Sequence, residues 1–275
     1  MHRWLSVVLA LAAGGLAHAQ EMSAPARDSI IPDARLFHRG DAYALGGFGV
    51  AAVALFQYDS KLATWFQSER FDTRALQRLE QSLDFVGGVG ALAIGGAMYV
   101  VGRVADKPRV AHLALHTTEA IVVGIGTAGV IKGVLGRARP YVTGPSNPRD
   151  FELLRGFKGS PWQSFPSGHS TTSFAVAAAV TSETSEWWPR SRWIIGPLLF
   201  GGATAVGMSR MYDDKHWASD VVMGAAIGTF AGLKTVRFNH TRTGNRIDRW
   251  LLGEKRPSVS PGPDGSLRLG VGARW

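Results

Sequence analysis

The sequence predicts an all-α protein, a bundle of about six apolar helices embedded in a membrane. Apolar stretches recur along the chain, they lack the strict alternation of half-buried strands, and several are too long to be strands. All of them are rich in Gly, Ala, Val and Leu. They lie near residues 43–57, 84–102, 111–131, 170–182, 193–208 and 217–233.

The first residues are typical of an export signal. A short basic start at Met1–Arg3 precedes an apolar run from Leu5 to Leu16, and Ala17-His18-Ala19 forms a small-x-small cleavage site. We therefore expect a signal peptide over residues 1–19, with an uncleaved N-terminal anchor as the alternative.

The rest of the chain divides by composition into three parts. We expect a polar lead-in at 20–40, a helical domain at 41–240 and a basic, Pro/Gly-rich tail at 241–275. The end of the tail, near 267–273, alternates apolar residues and fits either a short edge strand or a disordered end.

Charge and cysteine usage narrow the possible partners. The net charge of +9 and the pI of about 10.2 favour anionic partners, which include nucleic acid, anionic lipid and phosphate esters. The chain has no cysteine, so disulfides and thiolate metal sites are excluded. The motifs described below favour a phosphate ester and a membrane, with no nucleic-acid partner.

Basic residues predict how the helices are oriented. A membrane span needs about 20 mostly apolar residues, and the cytoplasmic side collects Lys and Arg. Such residues follow the second stretch, precede the fifth and follow the sixth: Arg103, Lys107 and Arg109; Arg190 and Arg192; Lys234, Arg237, Arg242, Arg246 and Arg249. The loops at 132–169 and 209–217 then face the periplasm from the inner membrane.

This orientation conflicts with six crossings after a cleaved signal. Six spans would place the 132–169 loop inside, so we expect the short stretch at 43–57 not to cross. The alternatives are a retained signal or a soluble periplasmic helical domain. The mean hydropathy of +0.02 is low for six full spans and favours the latter.

The first of three chemical clusters is Lys132-x6-Arg139-Pro140. On a continuing helix, a seven-residue separation places both cations on one side, about 10 Å apart along the axis. Arg suits bidentate contact with phosphate oxygens, whereas Lys acts as a point charge. By itself this cluster also fits a basic helix end at a membrane boundary.

The second cluster is Pro166-Ser167-Gly168-His169, directly before an apolar run. Unpaired N–H groups at a helix N-terminus attract anions. Ser167 can add a hydroxyl donor, Gly168 allows close backbone approach, and His169 is placed to protonate a leaving oxygen. An ordinary capped turn with a surface histidine is the alternative.

The third cluster is Ser209-Arg210-x5-His216-x3-Asp220. We expect His216 to open the last helix, with Asp220 four residues on and on the same face. A carboxylate there can hold one imidazole nitrogen and leave the other to attack. Arg210 can reach the same anion across the loop, and a surface ion pair is the alternative.

Together these motifs resemble the signature of the type 2 phosphatidic acid phosphatase (PAP2) superfamily. Its members include membrane lipid phosphatases, soluble bacterial acid phosphatases and vanadium haloperoxidases. The resemblance is specific over residues 132–220, plausible for the helices from about 84 to 233, and departs at no signature position.

The resemblance implies roles for individual residues. His216 would attack phosphorus and form a phosphohistidine, Asp220 would orient it, and His169 would protonate the leaving group and then activate water. The phosphoryl oxygens would be held by Lys132, Arg139, Ser167, the Gly168 amide and Arg210. No carboxylate cluster has metal-ligand spacing, so we expect no metal and no cofactor. Asp213 and Asp214 are expected to be structural or solvated.

The leading functional hypothesis is a lipid phosphate phosphatase acting on phosphatidate, phosphatidylglycerol phosphate, a polyprenyl diphosphate or a lipid A phosphate. The alternatives are a soluble periplasmic acid phosphatase and, with less support, a vanadate-dependent haloperoxidase, which holds a related oxyanion. A phospholipid-binding protein without catalysis is least favoured, because it needs neither His169 nor His216.

Overall fold

Helices form nearly all of the regular structure in the computed structural model, which describes residues 36–67, 74–241, 250–252, 256–261 and 267–272. The expected signal peptide at 1–19 lies outside the described residues. So does most of the polar lead-in.

The predicted all-α bundle is confirmed. The described helices longer than one turn are α1 (Arg39–Phe56), α2 (Asp59–Phe66), α3 (Arg74–Gly87), α4 (Val89–Val104), α5 (Pro108–Leu135), α6 (Gly168–Trp187), α7 (Arg192–Tyr212) and α8 (Ala218–Thr241). All six apolar stretches are helical, and α2 is an addition to them. Short helical turns lie at Pro140–Thr143, Arg155–Lys158, Ser160–Trp162 and Pro189–Ser191.

The tail contains the described strands. Strand β1 (Arg256–Pro261) pairs antiparallel with β2 (Leu267–Gly272). The alternating end of the tail is therefore a strand of a hairpin. Before these strands in the sequence, Leu251 contacts the bundle: its carbonyl accepts from the Tyr99 hydroxyl of α4 over 2.8 Å.

One apolar stretch is not a single helix as the sequence suggested. The stretch at 84–102 breaks at Gly88, where α3 and α4 meet at a bend of 56°. A methyl group on Gly88 would lie 2.9 Å from the Asp84 carbonyl oxygen and 3.1 Å from His169 Nε2. Because Gly88 has no side chain, the backbone at this break can pass close to the imidazole of His169.

Helix α6 is the centre of the bundle. Its alanines, including Ala175 and Ala179, are fully buried among α5, α7 and α8. Helix α8 approaches it through glycines spaced by four residues. A Cβ on one of them, Gly232, would lie only 2.6 Å from that of Ala178, so no larger residue fits there. Small residues at such spacing let two helix backbones pack closely, which sets the N-terminus of α6 beside that of α8.

Several helices are suited to a membrane. Helix α5, the segment Pro189–Tyr212 and helix α8 are long and apolar enough to cross, and the bent pair α3–α4 is a possible fourth crossing. Large apolar side chains on α4, α5 and α7, such as Val89, Val130 and Leu198, are largely exposed. Such surface is rare on soluble monomers and indicates contact with lipid. Helix α1 is not among these candidates.

Candidate active site

Three segments meet at one end of the bundle: the chain that follows α5, the N-terminus of α6 and the loop before α8. Backbone hydrogen bonds join them, from Ser164 N–H to the Arg137 carbonyl (3.0 Å) and from Ser167 N–H to the Asp220 carbonyl (2.9 Å). The three clusters found in the sequence are thus parts of one structural unit.

His216 is buried in the loop before α8, with 3% of its side chain exposed. Sequence spacing placed it at the first position of that helix, but the helix begins at Ala218. The Nδ1 atom lies 2.7 Å from the Ser164 carbonyl oxygen. A carbonyl can only accept, so Nδ1 carries the proton and Nε2 keeps its lone pair.

Asp220 lies farther from His216 than the i,i+4 spacing suggested. Its Oδ2 atom is 3.6 Å from His216 Nδ1, which is beyond hydrogen-bond length. The same oxygen accepts from the Ser164 hydroxyl (2.5 Å) and from the Trp217 N–H (2.8 Å). Asp220 therefore positions His216 indirectly. It binds Ser164, whose carbonyl contacts Nδ1, and it binds the backbone of Trp217, the residue that follows His216.

Arg137 is a residue that the sequence interpretation missed, although it lies inside the first motif. Its guanidinium is fully buried and forms ion pairs with Asp220 and with Asp59, the latter at 2.7 Å. The rings of Phe56, Phe151 and Trp217 surround it, each with its centroid 5.0–5.3 Å away. Arg137 thus neutralises the carboxylate that supports His216.

Asp59 connects helix α2 to this arrangement. It accepts from the Ser219 N–H (2.9 Å) and from the Ser219 hydroxyl (2.5 Å), besides its pair with Arg137. No motif marked Asp59, because it lies 78 residues before Arg137 and stands alone in the sequence.

Three cations flank the imidazoles. Lys132 lies near the end of α5, where its Nζ donates to the Gln163 carbonyl (2.7 Å) and its Cε lies against Gly168. Helix α5 stops at Leu135, because Gly136 adopts the left-handed conformation that ends helices. Arg139 is therefore in the loop and not two turns along the same helix.

Arg139 also carries an orphaned donor. Its backbone N–H donates to the Pro161 carbonyl (3.0 Å), but its buried Nε has no hydrogen-bond partner among the described residues. A buried unpaired donor is costly, so an anionic ligand at this position would be stabilised.

Asp84 at the end of α3 is a second residue that the motifs did not include. It lies 3.0 Å from His169 Nε2 and forms an ion pair with Arg210 Nη1. The signal for it was a lone acid at the start of an apolar stretch, which in membrane helices often marks a functional position. Asp84 therefore connects α3 to the predicted proton donor and to one predicted phosphate ligand.

Ser167 and Gly168 form the N-terminus of α6. Ser167 is the N-cap residue, its hydroxyl oxygen accepting from the Ser170 N–H (3.4 Å) and from the Ser170 hydroxyl (3.0 Å). This capping leaves the hydroxyl proton of Ser167 available to an anion. Gly168 begins the helix, where backbone N–H groups point away from the helix.

The electrostatics of the site keep both imidazoles neutral at physiological pH. Burial lowers the pKa of His216 to about 3, and the charges of Lys132 and Arg139 act in the same direction while Asp220 opposes them. Burial also lowers the pKa of His169 to about 4, assisted by Arg210 and opposed by Asp84. A dianionic ligand among these cations would raise both pKa values.

The structure thus brings all eight predicted site residues to one end of the bundle. Asp213 and Asp214 lie beside it: Asp213 pairs with Lys215 (2.7 Å), and the Asp214 carbonyl accepts from the Tyr141 N–H (3.2 Å). The arrangement can hold an anion among three cations and a helix N-terminus, with one neutral imidazole to attack it and a second to move a proton.

Comparison with known proteins identifies relatives over this region. Residues 113–244 match the PAP2 superfamily. The lipid A 1-phosphatase of Porphyromonas gingivalis is 41% identical over 76 residues, 27% of this chain and 16% of that protein. The undecaprenyl-diphosphatase of Sulfolobus acidocaldarius is 29% identical over 144 residues, 50% of this chain and 65% of that protein. The chain thus spans less than two thirds of the length of either curated relative.

A solved structure also aligns with this fold. The crystal structure of LpxE from Aquifex aeolicus superposes with a TM-score of 0.44 and 22% sequence identity, over 64% of this chain and 93% of that chain.

Proposed function

We propose that this chain, whose residues 113–244 match the PAP2 superfamily, is a metal-independent phosphatase of lipid phosphates. The observation that carries this proposal is the pair of neutral imidazoles, His216 buried and His169 partly exposed, within one set of three cations at the end of a bundle with lipid-facing apolar surface. A binding protein needs the cations but not two such imidazoles.

The proposed reaction has two steps. His216 Nε2 attacks phosphorus, the bond from phosphorus to the leaving oxygen breaks, and His169 gives that oxygen a proton. Water then attacks the phosphorus of the phosphohistidine, the bond from phosphorus to His216 Nε2 breaks, His169 takes the water proton, and inorganic phosphate leaves. Phosphoryl transfer depends mainly on positioning and charge stabilisation, which Lys132, Arg139 and Arg210 would supply.

The substrate class follows from the surroundings of the site. A cationic site at the end of exposed apolar helices suits an amphiphile whose head enters the site while its chains stay in lipid. The relatives are named for lipid A 1-phosphate and undecaprenyl diphosphate, and both compounds are amphiphiles of this kind. With phosphatidate and phosphatidylglycerol phosphate, they form the proposed substrate range. We also propose that the site faces the periplasm, as the distribution of Lys and Arg predicts.

A substrate comparison tests this proposal. Detergent-purified protein should release phosphate from at least one of the four lipids with kcat/KM about 100-fold above that for a water-soluble aryl phosphate, because only the lipids use the apolar surface. Equal rates on both classes, with activity released by osmotic shock without detergent, would instead identify a soluble acid phosphatase.

Asp84→Asn should shift the pH dependence of the reaction. Asp84 opposes the lowering of the His169 pKa, so its neutralisation lowers that pKa further. Because His169 must be protonated to act as the acid, the alkaline limb of the kcat/KM profile moves to lower pH, and kcat at pH 7 falls roughly tenfold. KM should not rise, because Arg210 no longer pairs with the Asp84 carboxylate and can bind the substrate phosphate instead.

The control for this prediction is Asp84→Glu, which keeps the charge and should return the limb toward its original position. If Asp84→Asn leaves the pH profile unchanged, the carboxylate does not act on His169.

A further inference from the structure

A second cluster of titratable side chains lies at the other end of the bundle. Glu183 of α6 is buried, and its Oε2 atom lies 3.1 Å from His116 Nδ1 on α5 and 2.9 Å from His240 Nε2 on α8. The potential ligand atoms of the three side chains all lie within 4.8 Å of one another. His116 is also buried, whereas His240 is partly exposed and gives access from outside.

This cluster is separate from the candidate active site. Along α6, Glu183 is 14 residues beyond His169, which is about 21 Å at 1.5 Å per residue. Along α8, His240 is 20 residues beyond Asp220, which is about 30 Å. The cluster and the active site therefore occupy opposite ends of the same helices, about a bilayer core apart.

The ligand set and spacing fit a divalent transition metal. Two histidines and one glutamate are a known zinc ligand set, with an open fourth position for water. Ligands about 2.1 Å from an ion at a tetrahedral angle lie roughly 3.4 Å apart, close to the separations of 2.9 and 3.1 Å between Glu183 and the two histidines. Small side-chain movements would suffice to admit an ion.

The alternative to a bound metal is protonation of both histidines. Two imidazolium groups would then share one carboxylate as a buried ion pair. A zinc ion carries the same charge of +2 as two imidazolium groups, and it joins three helices that are far apart in the sequence. The two states make different predictions, because only one of them depends on added metal.

We propose that His116, Glu183 and His240 form a site for Zn²⁺ or a similar divalent transition metal, at the end of the bundle away from the active site. This differs from the expectation of no metal, which rested on ligand spacing in the sequence. The site takes no part in phosphoryl transfer. It fastens α5, α6 and α8 together at the ends opposite the catalytic residues.

Metal titration of the full chain tests the proposal. Protein purified in detergent without a polyhistidine tag and stripped with a chelator should bind one Co²⁺ per chain, with the intense visible absorption of a tetrahedral site, and Zn²⁺ should displace it. Zn²⁺ alone should raise the free energy of unfolding by RT ln(1 + [Zn²⁺]/Kd), and the unfolding temperature should rise with it. Failure to bind either metal would overturn the proposal and leave a protonated ion pair.

Matched variants locate the binding. Glu183→Gln and His240→Gln should each weaken Co²⁺ binding more than about 100-fold. Loss of a residue that only supports a metal ligand costs about 10- to 100-fold in affinity, and loss of the ligand itself should cost more. His240 is partly exposed, so His240→Gln preserves the test if Glu183→Gln fails to fold. Unchanged Co²⁺ binding in His240→Gln would refute the assignment.

His216→Ala makes this test independent of the proposed function. It removes the predicted nucleophile but should bind Co²⁺ as the unaltered chain does. Loss of Co²⁺ binding in His216→Ala would show that the metal occupies the active site, and would overturn the proposal.

Discussion

His216→Ala is expected to lower kcat by at least about 10⁴-fold while the protein still folds and inserts. The expectation follows from the position of Nε2, the only nitrogen of this buried ring left with a lone pair once Nδ1 donates to the Ser164 carbonyl. Removal of a covalent nucleophile in other enzymes costs a comparable factor. The measurement is phosphate release from the best lipid substrate, at saturating concentration.

Two further observations separate a lost nucleophile from a damaged structure. His112→Ala removes a histidine near the opposite end of α5 and should leave kcat unchanged, so it controls for histidine loss in general. Brief reaction with labelled substrate should trap an acid-labile phosphoenzyme in the parent and none in His216→Ala. A near-native rate in His216→Ala would mean that another group attacks phosphorus.

Arg137→Met is expected to lower the free energy of unfolding by about 3–5 kcal/mol, because it leaves two fully buried carboxylates, Asp59 and Asp220, without their shared cation. In a chain of this size such a loss lowers Tm by about 10 °C. Thermal unfolding in detergent measures it. Adding Asp59→Asn to Arg137→Met should recover part of the loss, because one unpaired charge is then removed.

Arg139→Met is the matched control, two residues away and with the same change of side chain. It should leave the unfolding free energy within about 1 kcal/mol. Its expected effect is on binding: KM and the inhibition constant for vanadate should rise together, by about 10- to 100-fold. If Arg137→Met were as stable as Arg139→Met, the ion pairs of Arg137 would not hold the fold together. Unchanged inhibition by vanadate would contradict the assignment of Arg139 to the anion site.

Local patterns explain why much of this protein could be predicted. Long apolar stretches without alternation identify helices whatever surrounds them, and the six stretches are all helical. The motif residues could be named because each cluster lies within twelve residues of sequence, and the structure places these residues together.

The departures from prediction all occurred where the backbone or a distant side chain intervened. Gly136 ended α5 before Arg139, and Gly88 broke the helix expected over 84–102. The closest acceptor for His216 Nδ1 proved to be a carbonyl 52 residues earlier, not the carboxylate four residues later. Spacing along an ideal helix could not anticipate these contacts.

The sequence by itself determined the helical class, the membrane character of several helices and the identity of the groups available for phosphate chemistry, because each depends on composition and order over short stretches. Only the tertiary structure decided which charges face one another. Asp59 meets Arg137, Asp84 meets His169, and His116 meets Glu183 across 78, 85 and 67 residues. Such pairs form because close packing of small residues brings the helices together and a charge that is taken out of water is stable only when it is paired.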